Sequence, residues 1–139
     1  MLSSPLATEE PPYRIHTNRE LGMMLRGEKP LAVFSDRLGQ FPPVVRRYLR
    51  LFDNYVAAGR LIRQVEIEPP EGFRSYPLEV IYFALPAEAW RIDSMKELRR
   101  SDHWSLGHER REGELLGYAD WQIEWHLDRL KRQRGAHSD

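Results

Sequence analysis

Residues 120–130, DWQIEWHLDRL, set large apolar side chains on two opposite sides of what their spacing reads as one helix. At about 100° per residue, Trp121 and Trp125 stand within roughly 40° of each other, and Ile123, Leu127 and Leu130 cluster about half a turn away. A helix that only roofs one interior needs a single apolar stripe. This one needs two neighbours. The second is another part of the chain, a second copy of it, or a different protein.

A chain of 139 residues is one domain and long enough to bury a core unaided. Composition marks residues 1–12 as a disordered tail, 13–133 as the domain and 134–139 as a flexible tail. Cysteine is absent, which removes disulfides, thiolate metal sites and cysteine nucleophiles together. The 21 basic and 21 acidic side chains cancel, so no long-range field draws the chain to nucleic acid. No run approaches the roughly 20 apolar residues of a membrane span. The opening residues MLSSPLATEEPP lack the basic and apolar blocks of a secretory signal, and the expected location is the cytoplasm.

Thr17 and Glu20 have capping-box spacing and predict a helix over 18–26 that stops at Gly27. LAVFS, residues 31–35, reads as a short buried strand. Pro42–Pro43 opens the best helix, 43–58, with Val44, Val45, Tyr48, Leu49, Leu51, Phe52, Tyr55 and Val56 in an arc about 160° wide. Residues 61–68 alternate as a half-buried strand, with Leu61, Val65 and Ile67 on its apolar side. Residues 78–85 are apolar on both faces, as in a central strand, and pair antiparallel with 61–68 through a long connection.

Residues 87–92 read as a third paired strand or as the first turn of a helix, the strand being favoured, and Ser94 with Glu97 caps a helix over 94–100. A further helical stretch over 105–116 is interrupted at Gly113, and Gly117 separates it from the two-faced helix of 119–132. The expected class is α+β: a small antiparallel sheet of three to four strands packed with four to five helices.

Chemistry-bearing residues are sparse. His103, His108, Glu109 and Glu112 form the densest polar cluster, and His108 and Glu112 stand one turn apart, able to share a metal or a proton. Glu112 occupies the position of the second histidine of a zinc-protease H-E-x-x-H, so a solvated, ion-paired face is the plainer reading and no metal ligand is assigned. Ser101, Asp102, His103 and Ser105 have the residue types of a serine hydrolase without a nucleophile elbow or an oxyanion turn. No phosphate-cradling glycine loop is present, and nothing asks for a cofactor. Arg46, Arg47, Arg50, Arg60 and Arg63 are the one basic concentration. His126 falls between the two apolar faces of the last helix, as a partly buried, hydrogen-bonded residue.

All four tryptophans, Trp90, Trp104, Trp121 and Trp125, lie in the last 50 residues. Indoles and arginines are the usual anchors at interface centres. The sequence therefore leads to a non-enzymatic protein-binding module of the inhibitor, immunity, antitoxin or adaptor kind. Trp121, Trp125, Trp104, Arg46 and Arg50 are its expected contact residues, and the partner is another protein or a second copy. The alternative is a small enzyme using His103, His108, Glu109 and Glu112 for acid–base or metal-assisted hydrolysis.

Overall fold

The computed structural model describes residues 10–137. Helix α1 (Glu20–Leu25) leads into strand β1 (Leu31–Arg37), helix α2 (Pro43–Ala57) and strands β2 (Ile62–Glu68) and β3 (Leu78–Ala84). A 3-10 turn (Pro86–Glu88) then precedes helices α3 (Trp90–Arg99), α4 (Leu106–Leu116) and α5 (Asp120–His137). The fold is α+β, with a three-stranded antiparallel sheet in the order β1-β3-β2.

The run LEVIYFA belongs in the middle of the sheet because both its faces are covered. Val80 to Ala84 are all buried. Ile81 and Phe83 join Ala32, Met24, Leu49 and Phe52 under α1 and α2. Val80, Tyr82 and Ala84 join Leu31, Ile92, Met95 and Leu115 under α3 and α4. The period of two along each strand thus feeds two cores on opposite sides. Helix α5 lies outside the second one and packs on α4, where Ile123 sits over Gly113 so closely that a Cβ there would stand 2.9 Å from Ile123 Cγ1.

Several expectations change. The apolar arc of α2 is narrower than its composition implies: Val44 and Leu51 are exposed, while Leu49 and Phe52 carry the buried face. The expected apolar side of β2 is covered only at its start, where Leu61 is buried in the first core. Val65 and Ile67 are exposed, and Gln64, Glu66 and Glu68 lie half-buried beneath α3. The reason is ionic: Arg99 grips Glu68 through two nitrogens at 2.7 and 3.1 Å, and Lys96 reaches Gln64 at 2.9 Å and Glu66 at 3.6 Å.

Residues 87–92 are no strand. Leu85 N–H donates to Pro30 O and closes the sheet, Pro86 starts the 3-10 turn, and α3 begins at Trp90. Ile92, Met95 and Leu98 then recur at helical spacing against the second core, so Ser94 and Glu97 sit inside the helix instead of capping it. Thr17 caps nothing either. Asn18 has φ +68°, α1 starts at Glu20, and the Glu20 carboxylate accepts from the Tyr48 hydroxyl instead of reaching back. Gly113 does not interrupt α4, and α5 runs to His137, so residues 134–137 of the expected tail are helical. Residues 1–9 of the expected N-terminal tail lie outside the described residues.

Candidate functional site

A cavity of about 270 Å³ lies between α4, α5 and the extended residues that precede α1. Helical spacing builds two of its walls. Glu109, Glu112, Gly113 and Leu116 recur at i, i+3, i+4 and i+7 along α4. Gln122, Ile123, His126 and Arg129 line it from α5, and Tyr118 from the turn between the helices. The third wall is an arm of alternate residues, Pro11, Tyr13, Ile15 and Thr17.

Glu109 organises the polar end. Its Oε1 accepts from Trp104 Nε1 at 3.0 Å, and its Oε2 lies 3.1 Å from His126 Nε2. The other ring nitrogen of His126 lies 3.4 Å from Arg129 Nη2. A guanidinium only donates, so His126 Nδ1 accepts and Nε2–H points to Glu109. Arg129 also lies over the Trp125 ring at 5.2 Å, and among the described residues its buried Nε has no hydrogen-bond partner. Burial, and next the Glu109 carboxylate, push the Glu112 carboxyl up from its ordinary value, against the opposing pull of Arg99 and His126. One paired carboxylate and one biased toward its protonated form therefore face a single hollow.

The sequence-derived acid–base set is split by the fold. Glu109 and Glu112 face the cavity; His103 is exposed on the α3–α4 connection. His108 caps its own helix: Nδ1 accepts from Ser105 N–H at 3.0 Å while Ser105 Oγ accepts from His108 N–H at 3.3 Å. Among the described residues no three His, Cys, Asp or Glu side chains are grouped to hold a metal ion. His126 and Arg129 complete the cluster. The signal for them in the sequence was their i, i+3 spacing on α5, which becomes legible only once α5 is known to face α4.

The contact residues expected for a partner are also divided. Trp104, Trp121 and Trp125 gather around α4 and α5. Arg46 and Arg50 line a separate hollow of about 240 Å³ with Asp53, Glu79 and Ile81, beneath α2 on the other side of the sheet. Arg63 pairs with Asp53 at 3.4 Å, and Arg60 donates to Leu25 O. The tryptophans have an internal neighbour. Tyr13 meets Trp121 and Trp125 edge-on, with centroids 5.5 and 5.8 Å apart. That leaves Trp125 half-buried and Trp121 still 56% exposed.

No helix among the described residues is long and apolar enough to cross a membrane. Compared with known protein families, curated proteins and solved structures, the chain matches none.

Proposed function

We propose that the chain is a protein-binding module that covers part of a partner with the indole side of α5. One observation carries this reading: Ile123 and Leu127 satisfy the interior, while Trp121, on the opposite side of the helix, keeps 56% of its surface in water. An indole left that bare forgoes about 2 kcal/mol of burial, which a partner with a matching pocket recovers. Trp104 and the Glu109–His126–Arg129 cluster border the same region and supply polar contacts that fix orientation. Arg46 and Arg50, on the far layer, lie outside this surface.

The test is affinity capture and sedimentation with Trp121→Ala beside the native chain. Trp121 is exposed enough that the variant folds, which circular dichroism checks. A partner, or a concentration-dependent dimer, that is lost in the variant supports the reading. Identical capture and identical sedimentation for both proteins removes it.

A second reading, a small acid–base enzyme, is favoured by Glu112 alone, since a carboxyl biased toward its acid form in a cavity beside a carboxylate–imidazole pair suits proton transfer. Its test is a hydrolase substrate panel with Glu112→Gln. Turnover that survives the substitution unchanged, or no turnover in the native chain, counts against it.

A further inference from the structure

The arm over the cavity is held in an unusual way. It joins no strand of the sheet. Its backbone reaches the body through His16 N–H, which donates to the Tyr118 hydroxyl at 3.0 Å across 102 residues of sequence. The His16 ring stacks flat on Tyr118, centroids 3.7 Å apart and planes 6° from parallel. His16 Nδ1 then takes a 2.8 Å hydrogen bond from Lys29 Nζ, which also donates to Leu116 O at 2.8 Å. Both side chains are buried, Lys29 at 2% exposure and His16 at 5%.

An ammonium only donates, so Nδ1 must be unprotonated for this bond to exist. A proton there would set two cations at hydrogen-bond distance inside the protein. Among the described residues, the groups that face His16 offer no compensating negative charge. Lys29, from the α1–β1 connection, is itself positive, and Tyr118, from the α4–α5 turn, is neutral. Glu20 of α1 acts on Lys29 and Tyr118 only through its field, and its carboxylate is engaged by the Tyr48 hydroxyl.

We propose that residues 10–17 are a detachable strap over the α4–α5 cavity, latched by neutral His16 against Lys29 and let go in mild acid. Release uncovers the cavity and the Tyr13-facing sides of Trp121 and Trp125. The device stands on its own, whatever binds there.

Burial, and next the Lys29 charge, press His16 down from 6.5 to about 4 in the latched state. A released arm carries an ordinary histidine near 6.5, so it binds the proton more tightly. Latching is therefore at full strength above pH 6.5 and weakens as pH falls toward 4. The docking constant drops by about a hundredfold across that window.

Hydrogen exchange of the His16 amide, whose N–H donates to Tyr118, corrected for the intrinsic rate and compared with the amides of β3, reads this directly. The expected result is arm protection falling by about a hundredfold between pH 7 and pH 4, with β3 still protected. His16→Gln, whose amide oxygen accepts from Lys29 at any pH, flattens the profile. His126→Gln, which removes the imidazole that lines the cavity, leaves the fall in place. Arm protection that ignores pH in the native chain overturns the proposal, as does a parallel fall in His16→Gln. If His16→Gln does not fold, the ring titration of His16 by NMR decides: a midpoint at 6.5 with the arm contacts intact below it sinks the latch, and a midpoint well below 6.5 supports it.

Discussion

Gly117 is the residue on which the geometry around Lys29 turns. Its φ of +92° belongs to the left-handed region, and a Cβ built on it would stand 2.4 Å from Pro30 Cδ. Gly117→Ala thus meets both a backbone penalty of about 1 kcal/mol and a clash with a ring that cannot swing aside. The expected loss is about 2–4 kcal/mol, seen as a lower urea midpoint; a loss below about 0.5 kcal/mol would mean that Pro30 yields freely. The sequence identified Gly117 as a helix stop, and the structure adds that the stop also makes room for Pro30. His126 was legible as a half-buried, hydrogen-bonded residue. His16 and Lys29 were not, because no local pattern tells a histidine in an N-terminal segment that its stacking partner lies a hundred positions on. The same blindness hid the arm: an exposed-looking PPYRIH offers no sign that Tyr13 will meet two indoles.

Elements were legible where one periodicity ruled. The arc of α2 with Pro43 at its first turn, and the unbroken apolar run of β3, each admit one structure. Ambiguity arose where a local signal imitated another. Ser94 and Glu97 have the spacing of a cap, but the stronger constraint was Ile92–Met95–Leu98, which starts α3 four residues earlier. Leu61 was legible as buried, but the cover over the rest of β2 was not, because it is decided by partners: Lys96 and Arg99 make an acidic face worth half-burying, and composition alone favours the Val65–Ile67 side. Gly113 is the packing point of α4 against α5, and the two helices are joined further by the Arg110–Glu124 ion pair. Gly113→Ala gains about 1 kcal/mol of helix propensity yet forces a methyl against Ile123, a cost of about 1–3 kcal/mol. The net expectation is mild destabilisation that Ile123→Val, by removing Cδ1, partly reverses. Additive effects in that double-mutant cycle would show that the two residues do not touch.

For the whole molecule, buried titratable groups set the pH dependence of stability. Burial presses Lys29 down from 10.5 to about 8, so the unfolded chain binds more protons between those values. Stability rises with pH through that interval, by up to about 2–3 kcal/mol. The tyrosines act in the opposite sense. Burial raises Tyr82 from 10.0 to about 12, and Tyr13, Tyr48 and Tyr118 are raised as well, so the folded chain keeps protons that the unfolded chain has lost, and stability falls above pH 10. Urea midpoints measured from pH 7 to pH 11 should climb past pH 8 and turn down at about pH 10. A flat or steadily falling series from pH 7 onward would show that Lys29 is not desolvated. The α+β class and the antiparallel sheet were within reach of pattern reasoning; the position of the cavity was not, since it depends on α5 stacking outside α4 and on the arm lying across both.

The seam between Tyr118 and the arm also fixes an order of events during synthesis. Residues 10–17 are made before the turn after α4 and have no seat until it has emerged, and β1 likewise waits for β3, its neighbour in the sheet. A nascent chain cut short before Leu116 holds an ammonium that lacks the carbonyl it donates to, with the arm adrift and the second core short of its Leu116 cover, while the first core is already complete.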